Sequence, residues 1–257
     1  MSSLAHRTFI QPIKQRLVVE VGDAVAIKVT FSTKGGGLAA RRNRSVIEVY
    51  AFSTPNSVRV PIALEELGLD YELKPVNVKK AEQKSPDFLA LNPNGKVPVL
   101  IDPDGPAGEP ITLTESGAIL IYLAEKTGLL LPQDLGGRAR VFEQMFFHMT
   151  GIGPAFGQAG FFKKQASEQL PTVIARFHAE AERTLAVLDG VLKRSEFAAG
   201  RDYTIADIAH FGWLWRREFA GIDFAKFPHI ERWYGTVAAR PAVARAVAHV
   251  TAFVPPG

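Results

Sequence analysis

Cysteine is absent from all 257 residues. Disulfides, thiolate metal sites and an enzyme-borne thiol nucleophile are therefore excluded, and any sulfur chemistry has to use a substrate's sulfur. Long apolar runs are also missing, and none reaches the ~18 residues of a membrane span. Met145 to Phe162 is uncharged but interrupted by four glycines, Pro154 and His148, and reads as a kinked helix and a loop. There is no secretory apolar core at the N-terminus. Acids are missing from the first nineteen residues, which carry Arg7, Lys14 and Arg16. That pattern faintly resembles a transit peptide and is read here as a disordered arm or the result of an upstream start codon.

Hydrophobic residues make up 47% of the chain and charged residues 22%, the balance of an ordinary globular protein. The sequence pI of 9.3 invites a nucleic-acid reading. The location of the charge argues against it. Residues 1–45 hold eight Lys/Arg against Glu20 and Asp23, a net of +6, while the whole chain carries +4, so residues 46–257 carry −2. The basic character belongs to an N-terminal extension and the body is mildly acidic, so neither a nucleic-acid nor a membrane partner is expected.

Residues 17–31 could form a hairpin across Gly22-Asp23, and KGGG (34–37) with RRNR (41–44) reads as a flexible basic linker. From residue 46 the pattern is strand (46–52), helix ending near Gly68, and a strand over Tyr71–Val76 that Pro75 confines to a sheet edge. Strand, helix, strand with short connections predicts a right-handed βαβ unit. KVPVLID (96–102) and ITL (111–113) are close enough to pair antiparallel, and a helix is expected from about Glu115 to Lys126 with Ile119, Leu120 and Leu123 on one face. The sum, βαβ then ββα over 46–128, is a thioredoxin-like α/β layout. A linker is expected over 129–137, followed by an all-α domain over 138–257. Its clearest helix carries Ile174, Phe177, Ala181, Leu185, Leu188 and Leu192 at spacings of three or four.

Several short stretches carry a local meaning. In Tyr203-Thr204-Ile205-Ala206-Asp207-Ile208, Thr204 and Asp207 form the Asp version of a capping box with Tyr203 and Ile208 as a staple, so Asp207 is read as structural. In NGKVPV (94–99) a proline heads a central strand, which a cis peptide before Pro98 would accommodate by turning the Val97 backbone outward for an extended peptide. Glu115-Ser116 at a helix start suits the ammonium and carboxylate of an α-amino acid, though both residues also simply favour first turns. FSTPNS (52–57) offers Thr54 as N-cap and Pro55 at the first helical position. That is a common helix start, and it is also a place where free N–H groups would stabilise a thiolate.

Taken together and in this order, the motifs resemble the soluble glutathione S-transferases over about residues 46–245. The likeness is closest to the bacterial nu class, which acts as disulfide-bond oxidoreductases. TPN (54–56), EQKSPDFL (82–89), NPNGKVPVL (92–100), TESGAILIYLAEKTG (114–128), GIGP (151–154) and YTIAD (203–207) carry it. The resemblance implies Thr54 and Asn56 as the catalytic pair beside the glutathione sulfur. It implies Gln83 at the peptide's glycine end, Val97 pairing with the cysteinyl unit, and Glu115 and Ser116 on the γ-glutamyl head. Gln144 and Arg176 are implied for a second glutathione or the second half of glutathione disulfide. Tyr50 is the rival to Thr54, because some transferases use tyrosine, but it lies inside the strand and is expected to pack in the core. The resemblance further implies glutathione as co-substrate, no metal, a homodimer, a cytoplasmic setting, and a disulfide, a peroxide or a small electrophile as second substrate. A glutathione-binding regulatory module with little catalysis is the competing reading, and nucleic-acid binding through the RRNR arm a third. Residues 1–45 have no counterpart in the compact bacterial members.

Overall fold

The structure is a computed structural model that describes residues 46–254. The basic extension over 1–45, with its expected hairpin at 17–31, lies outside the described residues.

Strand β1 (Ile47–Ala51) alternates: Ile47, Val49 and Ala51 are buried on one face, and Glu48 and Tyr50 are half-buried on the other. Helix α1 (Arg59–Leu67) ends at Gly68, whose φ of 64° is the left-handed turn expected of a glycine cap. Strand β2 (Tyr71–Pro75) returns parallel to β1 and forms the sheet edge, where Pro75 breaks no ladder. Helix α2 (Pro86–Leu91) precedes β3 (Val99–Asp102) and β4 (Ile111–Thr114), which pair antiparallel. The sheet order is β2-β1-β3-β4. Helix α3 (Ser116–Thr127) buries Ile119, Leu120 and Leu123 completely. This is the thioredoxin-like layout that the alternation predicts.

The helical half comprises α4 (Leu135–Phe147), a π-helical turn (His148–Ile152), α5 (Gly153–Lys164), α6 (Pro171–Leu192), α7 (Ile205–Trp215), α8 (Arg217–Ala220), α9 (Pro228–Ala238) and α10 (Pro241–Thr251). Two expectations differ from this. Helix α4 begins three residues inside the stretch read as a linker, because the Asp134 carboxylate caps it by accepting from the Gly137 N–H at 2.8 Å. The glycine-rich segment 151–162 is helix rather than loop, entered through the π turn. Its glycines let large aromatics close in: a Cβ at Gly160 would lie 2.0 Å from the Phe219 ring. Along α6, Ala181, Leu185, Leu188 and Leu192 are buried as their spacing predicts, each leucine contributing about 1.5–3 kcal/mol.

Helix α1 joins the two halves. It packs on α3, α7 and α10, so Arg59 through Leu64 are buried without interruption, something a one-sided helix never shows. Two ion pairs fasten its end to α10. Arg240 holds Glu66 with two parallel bonds of 2.6 and 2.8 Å, and Arg245 reaches Glu65 at 2.7 Å. Asp207 has the structural role expected of it. Fully buried at the start of α7, it accepts from the N–H groups of Thr204 and Ala198 and from the Trp233 indole, all within 2.9 Å. Tyr203 and Ile208 join the same core; the Tyr203 ring meets Phe197 edge-on and lies under the Arg240 guanidinium.

Candidate active site

The turn after β1 is built from its own hydroxyls. The Thr54 hydroxyl donates to Ser57 Oγ (2.9 Å), and the Ser57 N–H donates to Thr54 Oγ1 (3.2 Å). Ser57 Oγ also accepts from the Phe52 N–H, and the Thr54 carbonyl takes the Val58 N–H as a helix cap does. Thr54 therefore caps the turn that leads into α1, although regular helix starts only at Arg59. Asn56 projects from this turn.

Two further loops converge on it. The Val97-Pro98 peptide is cis, and the preceding turn is held by Asn92, whose side-chain amide donates to the Lys96 carbonyl at 2.7 Å. Among the described residues no hydrogen bond engages the Val97 N–H or C=O, so both remain open to an extended ligand. Glu115 precedes α3 at φ 64° and ψ 110°, a conformation that costs a non-glycine residue about 1–3 kcal/mol and that clusters at ligand sites. It leaves the Glu115 carboxylate exposed and turns Ser116 inward. A cavity of about 600 Å³ is lined by Asn56, Glu115 and Ser116 on one side and by Met145, Phe146 and Trp213 on the other. A smaller recess beside it takes in Asn56, Val97, Pro98, Glu115 and Ser116. One end is thus polar and rich in backbone N–H groups, and the other is an apolar wall.

Behind Ser116 runs a buried chain of polar side chains. Arg59 is fully buried, and its Nη1 donates to Ser116 Oγ at 2.9 Å. Its Nη2 meets His148 Nε2, His148 Nδ1 lies 3.1 Å from His210 Nδ1, and His210 Nε2 lies 3.3 Å from Gln144 Oε1. An arginine can only donate. His148 Nε2 must therefore accept, its proton must be on Nδ1 and donate to His210 Nδ1, and His210 must carry its proton on Nε2 and donate to the Gln144 carbonyl oxygen. Both imidazoles are neutral. Burial, together with the Arg59 charge, holds His148 well below the usual histidine range and pushes His210 down to about 3. Burial also lowers the Arg59 guanidinium to about 9, which leaves it charged at neutral pH. Its Nε–H has no partner.

Asn56, Val97, Glu115 and Ser116 are brought together. Thr54 adjoins them without lining either cavity. Gln83 lies on the turn against which Gly95 packs, with its Oε1 buried and unpaired. Two expected residues are not brought in. Gln144 shares the face of α4 that turns to α7, spends its oxygen on His210 and borders a different recess with Arg140 and Arg194. Arg176 is exposed on α6 and lines neither cavity. The neighbouring positions Met145 and Phe146, one helical step round from Gln144, face the cavity instead. Tyr50 is half-buried rather than in the core. It lies edge-on to Phe88 with its hydroxyl on Glu48, and it borders neither the cavity nor the recess beside it. Arg59, Lys96, His148 and Trp213 also line the cavity and were not singled out in the sequence. Arg59 alone left a signal, as a lone charge in the apolar run VRVPIAL.

Comparison with known proteins gives a consistent picture. Residues 45–125 match the family model for the glutathione S-transferase N-terminal domain, and residues 145–241 match that for the C-terminal domain. Disulfide-bond oxidoreductase YfcG of Escherichia coli (strain K12) is 40% identical over 206 residues, spanning 79% of this chain and 94% of YfcG. A glutathione transferase family member from Pseudomonas fluorescens pf-5, crystallised with two glutathione bound, is similar at a TM-score of 0.75 and 43% identity, covering 80% of this chain and 94% of its own. A glutathione transferase from Pseudomonas putida, with one glutathione disulfide bound per subunit, is similar at a TM-score of 0.74 and 40% identity, covering 81% of this chain and 93% of its own.

Proposed function

The chain belongs to the glutathione S-transferase family, and from that premise we propose that it is an enzyme that binds glutathione and uses the peptide's thiolate to reduce disulfides. Peroxides and electrophilic carbon are further targets of the same thiolate. The observation that carries this reading is the convergence of Asn56, Val97, Glu115 and Ser116 on one recess beside an apolar wall. In this reading Glu115 takes the ammonium of the γ-glutamyl head, and Ser116 with the start of α3 takes its carboxylate. The free Val97 N–H and C=O pair with the cysteinyl unit, and the unpaired amide of Gln83 meets the glycine end. The sulfur then faces the turn 54–57. Gln144 and Arg176 are left out of this site because of where they lie.

Thr54 and Asn56 act on the thiol by favouring its anion. A free thiol with a pKa of about 8.5 is mostly protonated at neutral pH, and N–H and O–H donors at a helix start lower that value. The two hydroxyls at 2.9 Å supply a relay. When the Thr54 O–H turns to the sulfur, the Ser57 O–H can turn to donate to Thr54 Oγ1, so neither hydroxyl proton is left without an acceptor. Because the chain has no cysteine, the mixed disulfide has to be carried by glutathione. A first glutathione thiolate attacks the substrate RSSR, giving RSSG and RS⁻. A second attacks RSSG, giving GSSG and a second RS⁻, and each RS⁻ takes up a proton. A 600 Å³ cavity leaves space for the second peptide against Met145, Phe146 and Trp213.

A homodimer accords with the solvent-exposed Leu129 and Leu135 in a single chain. A cytoplasmic setting accords with dependence on a reduced glutathione pool. The test is retention on immobilised glutathione together with turnover of a small disulfide by wild type and Thr54→Ala. Loss of one hydrogen bond to an anion predicts roughly a 10- to 100-fold fall in kcat/KM for the variant and a raised pKa of the bound thiol. Conjugation of aryl halides without disulfide turnover would refute the reductase reading, and retention without any turnover would favour a regulatory binding module.

A further inference from the structure

Arg59 is a buried charge without a counter-ion. Among the described residues no carboxylate lies within 4 Å of it: its partners are a serine hydroxyl, a thioether and a histidine. The histidine is neutral for the reason already given, so nothing among the described residues offsets the charge. Buried charges are ordinarily paired, and an unpaired one destabilises the fold. This one stands in the wall of the cavity, directly behind Ser116. Its Nη1 occupies a lone pair of Ser116 Oγ, which leaves the Ser116 proton free to point into the cavity.

We propose that Arg59 is a positioning residue of the ligand site: it fixes Ser116 as a donor and holds a buried positive charge that is neutralised only when a ligand carboxylate binds at Ser116. The neutral His148–His210–Gln144 chain serves it by accepting from the guanidinium without cancelling its charge. A carboxylate in place of His148 would have paired the arginine permanently and removed its pull on a ligand. This inference rests on the glutathione reading, in which that carboxylate belongs to the γ-glutamyl head.

The test is equilibrium binding, read from the fluorescence of the cavity-lining Trp213 or by calorimetry. Glutathione is compared with γ-aminobutyryl-cysteinylglycine, which is glutathione without the γ-glutamyl α-carboxylate, on wild type, Arg59→Lys and Arg59→Met. Wild type should prefer glutathione by about tenfold or more, the scale of one hydrogen bond to a charged group. Arg59→Met should weaken glutathione by a similar factor and leave the analogue nearly unchanged, with Arg59→Lys between. The melting temperature of Arg59→Met should equal or exceed that of wild type, because an uncompensated charge has been removed. Should the methionine variant fold poorly, Arg59→Gln in a Ser116→Ala background supplies the same comparison. An arginine acting through Ser116 then loses most of its effect. Equal losses for both ligands, or full glutathione affinity in Arg59→Met, would overturn the proposal while leaving the glutathione reading intact. Failure of wild type itself to bind glutathione would overturn both, and it would be seen before any variant is made.

Discussion

Gly212, in the middle of α7, is where the helical half reaches the turn that bears Thr54 and Asn56. A Cβ placed there would lie 2.2 Å from the Pro55 carbonyl oxygen, 2.7 Å from Arg59 Nε and 3.0 Å from Arg59 Cγ. Comfortable non-bonded contacts lie at about 3.5–4.0 Å, so Gly212→Ala forces the turn and the helix apart by roughly 1 Å. Two effects oppose each other. Alanine gains up to about 1 kcal/mol over glycine in a helix interior, and overpacking costs about 1–3 kcal/mol. The obstacles are backbone and a fully buried side chain, neither of which can swing away, so the steric term should win. The expected result is a net loss of about 0.5–2 kcal/mol in urea unfolding. Disulfide-reductase kcat/KM should fall on the order of 100-fold, the scale of a 1 Å misplacement of reacting groups. Gly235→Ala is the control. It lies on the exposed face of α9 with nothing within 4 Å of the added methyl, and should gain up to about 1 kcal/mol with activity unchanged. A Gly212→Ala protein as stable as the Gly235→Ala control, with wild-type kcat/KM, would refute the claim that this contact sets the position of the turn.

Acid should destabilise the protein through the buried histidines. His148 and His210 have depressed values in the folded state, so below the unfolded value of about 6.5 the unfolded chain binds protons that the native chain refuses. Stability is therefore lost as the pH falls from 6.5, by about 2–3 kcal/mol between pH 6 and pH 5 for the two together. For His148→Gln, which can still accept from Arg59 and donate to His210, about half of that slope should vanish in urea titrations; an unchanged slope would contradict the neutral pair. Asp207→Ala should cost about 3–5 kcal/mol by stranding the amides of Ala198 and Thr204 and the Trp233 indole, while kcat per folded molecule stays at the wild-type value. A selective fall in kcat without loss of stability would instead make Asp207 catalytic.

The elements that were legible are those whose pattern is local. The alternation in β1, the glycine cap after α1, the proline on the edge strand and the leucine spacing of α6 each follow from backbone sterics or from a single buried face. The same holds for Asp207, where four consecutive residues contain both halves of the cap. The loop expected within Met145 to Phe162 is helix for a physical reason: its four glycines look like a loop until Phe219 and Trp213, far along the chain, fill the space that their missing side chains leave. Gln144 shows the same limit at the scale of one residue. A helical position is known from sequence, but which of two neighbouring faces turns to the cavity depends on the π turn and on α7.

By itself the sequence determined that no thiol of the protein takes part, that a thioredoxin-like sheet precedes a helical half, and that Thr54, Asn56, Glu115, Ser116 and the backbone of Val97 are polar groups placed at element ends. Element ends are where unpaired N–H groups occur, and that follows from chain-local geometry. Only the tertiary structure decided that four of these converge on one recess, that Thr54 is tied to Ser57, and that an uncompensated arginine stands behind Ser116. Those facts depend on α1 being enclosed by α3, α7 and α10 at once, and burial from several sides is a property of the packed molecule, with no counterpart in any one stretch of its chain.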